Sequence, residues 1–231
     1  MSELGRFPLH YDIVKSLIRY WYRLENLSTE FTLLKDAYEC SKKLFLNHMN
    51  SWYAFIDKLH SIFNFNVDLT RIGKHKFRLL CNKSIMNHYV KDWYSSLHLY
   101  SEGKLSTYVK IKQKWGFESY LSVVRNFDYR RSMCKIRISS HSLKIETGRF
   151  TNTPRNERLC TKCSSNTIEN ELHFLVTCVK YDCERQEIFK LIDSKYHNFS
   201  TLNTEQKLYW LLNCEEKEIL DLVGRFISHN M

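Results

Sequence analysis

Four residues in the C-terminal half of the chain have the types and the spacing of metal ligands. Cys160, Cys163, His173 and Cys178 form the pattern C-x2-C-x9-H-x4-C within nineteen residues. Three thiols and one imidazole fill all four positions of a tetrahedral Zn²⁺ ion and leave no position open for water or substrate. A closed site of this kind holds a fold together and does not activate water. The pattern therefore predicts a structural zinc site, typical of a binding module, and argues against a metal-dependent hydrolase.

Cys183 is an alternative to Cys178 as the fourth ligand. A helix is predicted over Ile168–Val176, with His173 on its inner face. Cys178 follows His173 by five positions, about 500° of helical rotation. The helix must therefore bend or end near Thr177 if both side chains are to bind one ion. Cys183 lies five residues further on and is the main rival ligand.

The simpler interpretation of the cluster is a group of reduced cysteines in a core. More distant rivals as ligands are His141 and Cys134.

The composition predicts a folded and mainly helical chain. Of the 231 residues 43% are hydrophobic, enough for one large core or two smaller ones. Only six Gly and two Pro are present, which favours long helices over many short strands. No run of about eighteen apolar residues occurs, so no membrane-spanning segment is expected. Since no secretory signal is apparent, the eight cysteines are expected to be reduced, inside the cell in the nucleus or cytoplasm.

Hydrophobic periodicity predicts helices along most of the chain. The predicted helices are Tyr11–Glu25, Leu33–Phe63, His75–Tyr100, Leu105–Trp115, Tyr120–Ile138, Ile168–Val176, Tyr181–Tyr196, Glu205–Cys214 and Lys217–Ser228. Residues 147–166 contain Gly148 and Pro154 and are expected to be irregular. The chain becomes more basic near residue 117. We therefore expect a mainly α fold, with a helical bundle over residues 1–117. Residues 118–231 would hold a basic helix, a zinc-stabilised module over residues of about 150–185, and C-terminal helices.

The basic residues are concentrated beside the cysteine cluster. The net charge is +10, and residues 118–163 hold ten basic and four acidic residues, so more than half of the excess lies there. Basic proteins of this size commonly bind a polyanion such as nucleic acid. We expect RNA or DNA to be bound through phosphates, with little sequence specificity, by Arg130, Arg131, Lys135, Arg137, Lys144, Arg149, Arg155 and Arg158. The alternative is a protein-interaction scaffold, in which the zinc unit docks a partner and the charge only aids solubility.

The residues around the cluster resemble a known family. The segment 154–160 reads P-R-N-E-R-L-C and the segment 168–175 reads I-E-N-E-L-H-F-L. With residues 137–150, they resemble the C-terminal region of non-LTR (LINE-type) retrotransposon reverse transcriptases. That region carries a Cys-Cys-His-Cys zinc-binding domain, in a context like E-R-x-C-x-x-C and E-x-E-x-H-F-L-x-x-C. Residues 3–60 are more loosely similar. The resemblance implies zinc held by Cys160, Cys163, His173 and Cys178, binding of template RNA or target DNA, and a polymerase-bearing protein as a possible partner.

No catalytic centre is evident in the sequence. Polymerases of the resembled family use an F/Y-x-D-D motif, and two-metal nucleotidyl transfer needs clustered carboxylates. The adjacent acidic residues here are only Glu215 and Glu216, without a strand pattern. The phosphate-binding patterns GxxxxGK[ST] and GxGxxG and the nucleophile pattern GxSxG are absent. We therefore expect a detached C-terminal part of such a reverse transcriptase that has no enzymatic activity.

Overall fold

The computed structural model describes residues 3–28, 30–65, 72–97, 99 and 103–231, and this part of the chain is mainly helical. Its α-helices are α1 Leu9–Glu25, α2 Thr32–Leu46, α3 Trp52–Phe63, α4 Lys74–Leu97, α5 Ser106–Ile111, α6 Tyr120–Val123, α7 Phe127–Arg137, α8 Lys144–Phe150, α9 Asp182–Lys195, α10 Thr204–Asn213 and α11 Lys217–Asn230. The described residues form no strand beyond two isolated β-bridges, Leu4 with Phe117 and Leu159 with Ile168. The predicted mainly α class is confirmed. None of the described helices is long and apolar enough to cross a membrane.

Two of the predicted helices are each divided in two. The predicted helix Leu33–Phe63 is α2 and α3, because Ser51 caps α3 by accepting a hydrogen bond from a backbone N–H three residues on. The predicted helix Tyr120–Ile138 is α6 and α7, because Asn126 caps α7 in the same way. Apolar residues continue at helical spacing across both breaks, so periodicity alone did not reveal the caps. The end of the predicted helix His75–Tyr100 includes residues 98 and 100, which lie outside the described part.

The segment predicted to be irregular contains the second half of α8 and a 3₁₀ turn at Arg155–Glu157. Gly148 lies inside α8, where a Cβ atom would stand 2.7 Å from the side-chain carbons of Arg158. Glycine is therefore present because the Arg158 side chain packs against the helix backbone at this point. In contrast, the predicted helix Leu105–Trp115 is shortened to α5, which ends at Ile111.

The described chain forms two compact units. The first spans Arg6–Ser95, and the second comprises residues 3–5 with Ser96–Met231. In the first unit, side chains of α1, α3 and α4 enclose an aromatic-rich core that includes Ile18, Trp21, Ile56 and Phe77. The division lies near residue 95, so the boundary expected at residue 117 falls inside the second unit. The change in charge near residue 117 therefore does not coincide with the division between the two units.

In the second unit, α7 packs against α11, and one core continues into the cysteine cluster. Met133 of α7 and Phe226 of α11 are buried together with Phe174, which follows His173 directly. The rings of Phe174 and Phe226 are stacked, with centroids 5.3 Å apart. The cysteine cluster and the C-terminal helices therefore share one core.

Candidate metal centre

The ligand atoms of the four predicted residues converge on one point. The Sγ atoms of Cys160, Cys163 and Cys178 and a ring nitrogen of His173 all lie within 4.8 Å of one another. The Cys160 and Cys178 sulfurs are 4.0 Å apart, and the Cys163 sulfur is 3.3 Å from Nε2 of His173. In a tetrahedral site with metal–sulfur bonds of about 2.3 Å, two sulfurs are about 3.8 Å apart. The cluster can therefore hold one metal ion. Cys183 is exposed and lies outside it.

Cys160 and Cys163 are positioned by a tight turn that a β-bridge closes. Leu159 pairs with Ile168, and the Cys160 N–H donates to the Thr167 carbonyl at 2.9 Å. Within the turn, the Lys162 N–H donates to the Cys160 sulfur at 3.4 Å. A backbone donor of this kind stabilises negative charge on a ligand sulfur and fixes its direction. Two thiols three positions apart thus face the same point.

His173 and Cys178 are brought to the same side by a π-helical turn over His173–Thr177. The Cys178 N–H donates to the His173 carbonyl at 2.7 Å, an i to i+5 hydrogen bond that widens the turn. Because a π-helical turn holds more residues than an α-helical turn, it brings His173 and Cys178, five positions apart, to the same side of the chain. The predicted helix end near Thr177 is confirmed. The predicted start was wrong, because Ile168 lies in the β-bridge and Asn170 accepts the His173 N–H at 2.8 Å.

The imidazole of His173 is oriented by a neighbouring hydroxyl. Its Nδ1 lies 3.1 Å from Oγ1 of Thr177, and its Nε2 faces the Cys163 sulfur. A hydrogen bond at one ring nitrogen sets which nitrogen is available to a metal. The donor set therefore consists of three sulfurs and Nε2 of His173.

Burial and hydrogen bonding act differently on the three thiols. Hydrogen bonds from the Ser165 hydroxyl and backbone lower the pKa of Cys163 to about 6. Burial raises the pKa of Cys178 to about 12 and also raises the pKa of Cys160. Buried thiols that must be ionised to bind metal need a cation as their partner. This cluster fits a metal ion on chemical grounds, since the ion supplies that charge.

Two buried glutamates attach the candidate metal centre to α8 and to the segment between α7 and α8. The Lys144 N–H, at the start of α8, donates to Oε2 of Glu169 at 2.8 Å. Oε1 of Glu169 lies 3.8 Å from the Cys160 sulfur. Glu171 follows two residues later, and its Oε1 lies 3.0 Å from Nε2 of His141. Burial acts to raise the pKa of Glu171, but the hydrogen bond and charge of His141 hold this pKa below its usual value. The E-x-E-x-H pattern thus places two anchors and one ligand on the same side of the chain.

Arg185 closes the other end of the π-helical turn. This α9 residue is almost completely buried. Its guanidinium donates to the carbonyl oxygens of Cys178 and Phe174, and it pairs with Asp182. The Cys178 carbonyl also accepts the Tyr181 N–H at 3.2 Å, so Arg185 adds a side-chain link between α9 and the end of the π-helical turn.

Arg137 was expected to contact phosphate, and the structure corrects this expectation. Its side chain is fully buried, and its Nε is 3.0 Å from Oε2 of Glu3. The guanidinium also pairs with Glu118 and donates to the Leu212 carbonyl. A guanidinium enclosed by two carboxylates is not available to a nucleic acid. The basic run in the sequence does not distinguish such a buried cation from an exposed one.

Three other predicted phosphate contacts are engaged within the chain. Arg158 donates to the carbonyls of Thr153 and Ile145 at 2.9 and 2.7 Å and so braces α8. Arg149 pairs with Glu146 at 3.1 Å. The Arg130 guanidinium donates to the Val124 carbonyl at 3.1 Å. The four remaining side chains are exposed or half-buried, and none has a hydrogen bond or ion pair within the described residues. These are Arg131, Lys135, Lys144 and Arg155.

The second unit contains a buried charge network that leaves no pattern in the sequence. Lys112 is almost fully buried, pairs with Glu118 and donates to the Gly116 carbonyl at 2.7 Å. Glu118 in turn pairs with Arg137, and the Tyr120 hydroxyl donates to Glu3 at 2.7 Å. Two cations and two carboxylates therefore balance one another. No local pattern links Glu3 to residues more than one hundred positions away.

No protein-family model, no curated protein and no solved structure matches this chain. What bears on function is therefore the arrangement of its own residues, together with the resemblance around the cysteine cluster.

Proposed function

We propose that this chain is a nucleic-acid-binding protein in which Cys160, Cys163, His173 and Cys178 hold a structural Zn²⁺ ion. We further propose that it corresponds to a detached C-terminal part of a non-LTR retrotransposon reverse transcriptase. The observation that carries the proposal is the closed four-ligand cluster, whose anchor Glu169 fixes the exposed cation Lys144. In this proposal a polymerase-bearing protein is a possible partner, and the site of action is the nucleus or cytoplasm.

The donor set supports zinc among the metals of the cell. Three thiolates and one imidazole in a compact cluster suit Zn²⁺, which accepts tetrahedral sulfur and nitrogen ligands. When bound, the ion supplies a fixed positive charge that holds the ligands together. The side chains themselves occupy every ligand position, so the centre supports a structural and not a catalytic role. Elemental analysis of purified protein should find one zinc per chain.

Four cations of the second unit, three exposed and one half-buried, support phosphate binding. Lys144 is the first residue of α8, and the hydrogen bond from its backbone to Glu169 fixes its position relative to the metal. Arg155 lies in the 3₁₀ turn that precedes the first ligand. Arg131 and Lys135 are one helical turn apart on α7, so they share a face. Cations on fixed backbone are ordered before binding, which lowers the entropy lost on phosphate contact.

Salt dependence tests this proposal. If these four cations each neutralise one phosphate, log K should fall against log salt with a slope of about −3.6 on duplex DNA. The triple variant Arg131→Ala, Lys144→Ala, Arg155→Ala should flatten the duplex slope to about −0.9, because each removal deletes one ionic contact of about 0.9. Filter binding or fluorescence anisotropy over a salt series measures both slopes.

A matched control separates local contacts from net charge. Lys35, Lys43 and Lys58 are exposed residues of the first unit without ion pairs in the described part of the chain. Replacing these three by Ala lowers the net charge by the same amount and should leave the slope unchanged. Equal effects of the two triple variants would refute a binding surface at the metal centre. Absence of salt-dependent binding by the unmodified chain would favour the scaffold alternative.

A further inference from the structure

Two clefts of the second unit meet at one exposed tyrosine. The first lies between α5, α10 and the segment before His173, and the second between residues 111–120 and the end of α10. Tyr209 and Ile111 line both clefts. Tyr209 is 37% exposed, and its hydroxyl has no hydrogen bond within the described residues. An aromatic ring that forms the wall between two clefts has both of its faces or edges available to a ligand.

The first cleft has the size of one aromatic ring. It encloses about 140 Å³, and an apolar cavity of about 150 Å³ is known to accept benzene. Ile111, Leu172 and Leu208 supply apolar walls. Two cations, Lys110 and Arg155, are offset by the carboxylates of Glu171 and Glu205 on the same walls. A cleft without net charge favours a neutral ring with polar edges over a phosphate.

The second cleft is larger and more polar, at about 320 Å³. Asn213 lies in its wall, and Oδ1 of Asn213 accepts a hydrogen bond from Arg137 at 3.2 Å. Because a guanidinium only donates, the oxygen of the amide must face it. The amide nitrogen is then buried without a partner among the described residues. The cleft wall thus combines the polar side chain of Asn213 with the apolar side chains of Ile111 and Leu212, a mixture that suits the polar edge and apolar face of a nucleobase.

Each cleft has an exposed cation on its wall. Arg155 lines the first cleft, and Lys114 lines the second. Neither side chain has an ion pair or hydrogen bond in the part of the chain that the structure describes. Proteins that bind single strands combine stacking rings for bases with cations for the backbone.

We infer that these clefts bind two successive bases of single-stranded RNA or DNA, one on each side of Tyr209. Arg155 and Lys114 would then contact the adjoining phosphates. The inference rests on the proposed function and adds to it the preferred form of the nucleic acid. In a duplex the bases are stacked on one another and their faces are not available to Tyr209.

Substitution of Tyr209 in the full-length, metal-loaded chain tests the inference. Tyr209→Ala should weaken binding of single-stranded oligonucleotides of about 12 nucleotides by roughly 5- to 150-fold, the range expected for one lost stacking contact. Tyr209→Phe keeps the ring and should bind within about twofold of the unmodified chain. Binding of a blunt duplex of the same length should not change in either variant. Melting temperature and metal content serve as checks on folding.

Phe127→Ala is the matched control, because Phe127 is an exposed aromatic of the same unit that lines neither cleft. It should bind single strands like the unmodified chain. Photocrosslinking with an oligonucleotide that contains a halogenated uracil, followed by mass spectrometry, should identify the α10 peptide with Tyr209.

The outcomes separate this inference from the proposed function. If Tyr209→Ala binds single strands as tightly as the unmodified chain, or if crosslinks fall only elsewhere, the inference is wrong. The proposed function would stand in that case, provided that the salt slope still depends on Arg131, Lys144 and Arg155. A preference for duplex that Tyr209→Ala leaves intact would also overturn the inference. If neither form is bound, both the inference and the proposed function fail.

Discussion

Removal of the proposed Zn²⁺ ion should destabilise the whole second unit and leave the first unit folded. The reason is that two ligands, Cys160 and Cys178, are buried in the same core as Phe174 and Phe226. A structural zinc ion contributes about 10–16 kcal/mol of binding free energy in small metal-dependent domains. The net stability of a folded domain is about 5–15 kcal/mol. Loss of the ion can therefore remove most of the stability of this unit.

The stability lost on removal of the ion can be measured in helices that are remote in sequence from the ligands. If only about 4 kcal/mol of the metal contribution reaches α7 and α11, their amide exchange should accelerate about 1,000-fold. Hydrogen exchange with mass spectrometry, with and without a chelator, measures this change peptide by peptide. Peptides from α1 and α3 are the internal control, and restored zinc should restore protection.

Two results would refute this reasoning. If faster exchange is confined to residues of about 150–185, the metal unit is a separable module, as the sequence alone suggested. If α1 and α3 lose protection to the same extent as α11, the two units do not fold independently.

Three further predictions concern single side chains. Cys178→Ser should abolish binding of the metal ion, and Cys183→Ser should retain one ion per chain, as measured by elemental analysis. Glu3→Gln should lower the free energy of unfolding by about 3 kcal/mol, because it removes one partner of a buried ion pair. The exposed Glu30→Gln should have almost no effect in the same urea titration. Arg158→Ala should cost about 2 kcal/mol through its two lost hydrogen bonds and leave the salt slope of nucleic-acid binding unchanged, which anisotropy would verify.

The two glutamates of the E-x-E-x-H pattern explain why the cluster depends on residues beyond its ligands. Glu169 and Glu171 are buried; Glu169 accepts the Lys144 N–H at the start of α8, and Glu171 accepts the Ser139 hydroxyl from the segment between α7 and α8. Glu169 therefore links the segment of the candidate metal centre to Lys144, an exposed cation. A pattern that resembles a zinc motif in sequence also supplies, in three dimensions, the contacts that hold α8 and the segment before it against the candidate metal centre.

The sequence by itself determined the helical class and the identity of the four converging residues. Low glycine and proline content and 3.6-residue periodicity favour helices whatever the tertiary context. The spacing of Cys160 and Cys163 is local, so a turn alone brings the two thiols together. The five-residue gap between His173 and Cys178 likewise predicted a break near Thr177, although its form as a π-helical turn was not predicted.

Only the tertiary structure decided which cations are exposed. Arg137 and Arg131 lie on the same short helix, and the charge pattern of the sequence does not distinguish them. Arg137 is buried because Glu3, 134 positions away, and Glu118 supply the charge that burial requires. Arg131 is exposed, and none of the described carboxylates pairs with it. Likewise, both clefts around Tyr209 form only where α10 packs beside residues distant in sequence, α5 with residues 170–172 for the first cleft and residues 111–120 for the second. Contacts between residues distant in sequence leave no periodic or local pattern, so sequence analysis could not predict them.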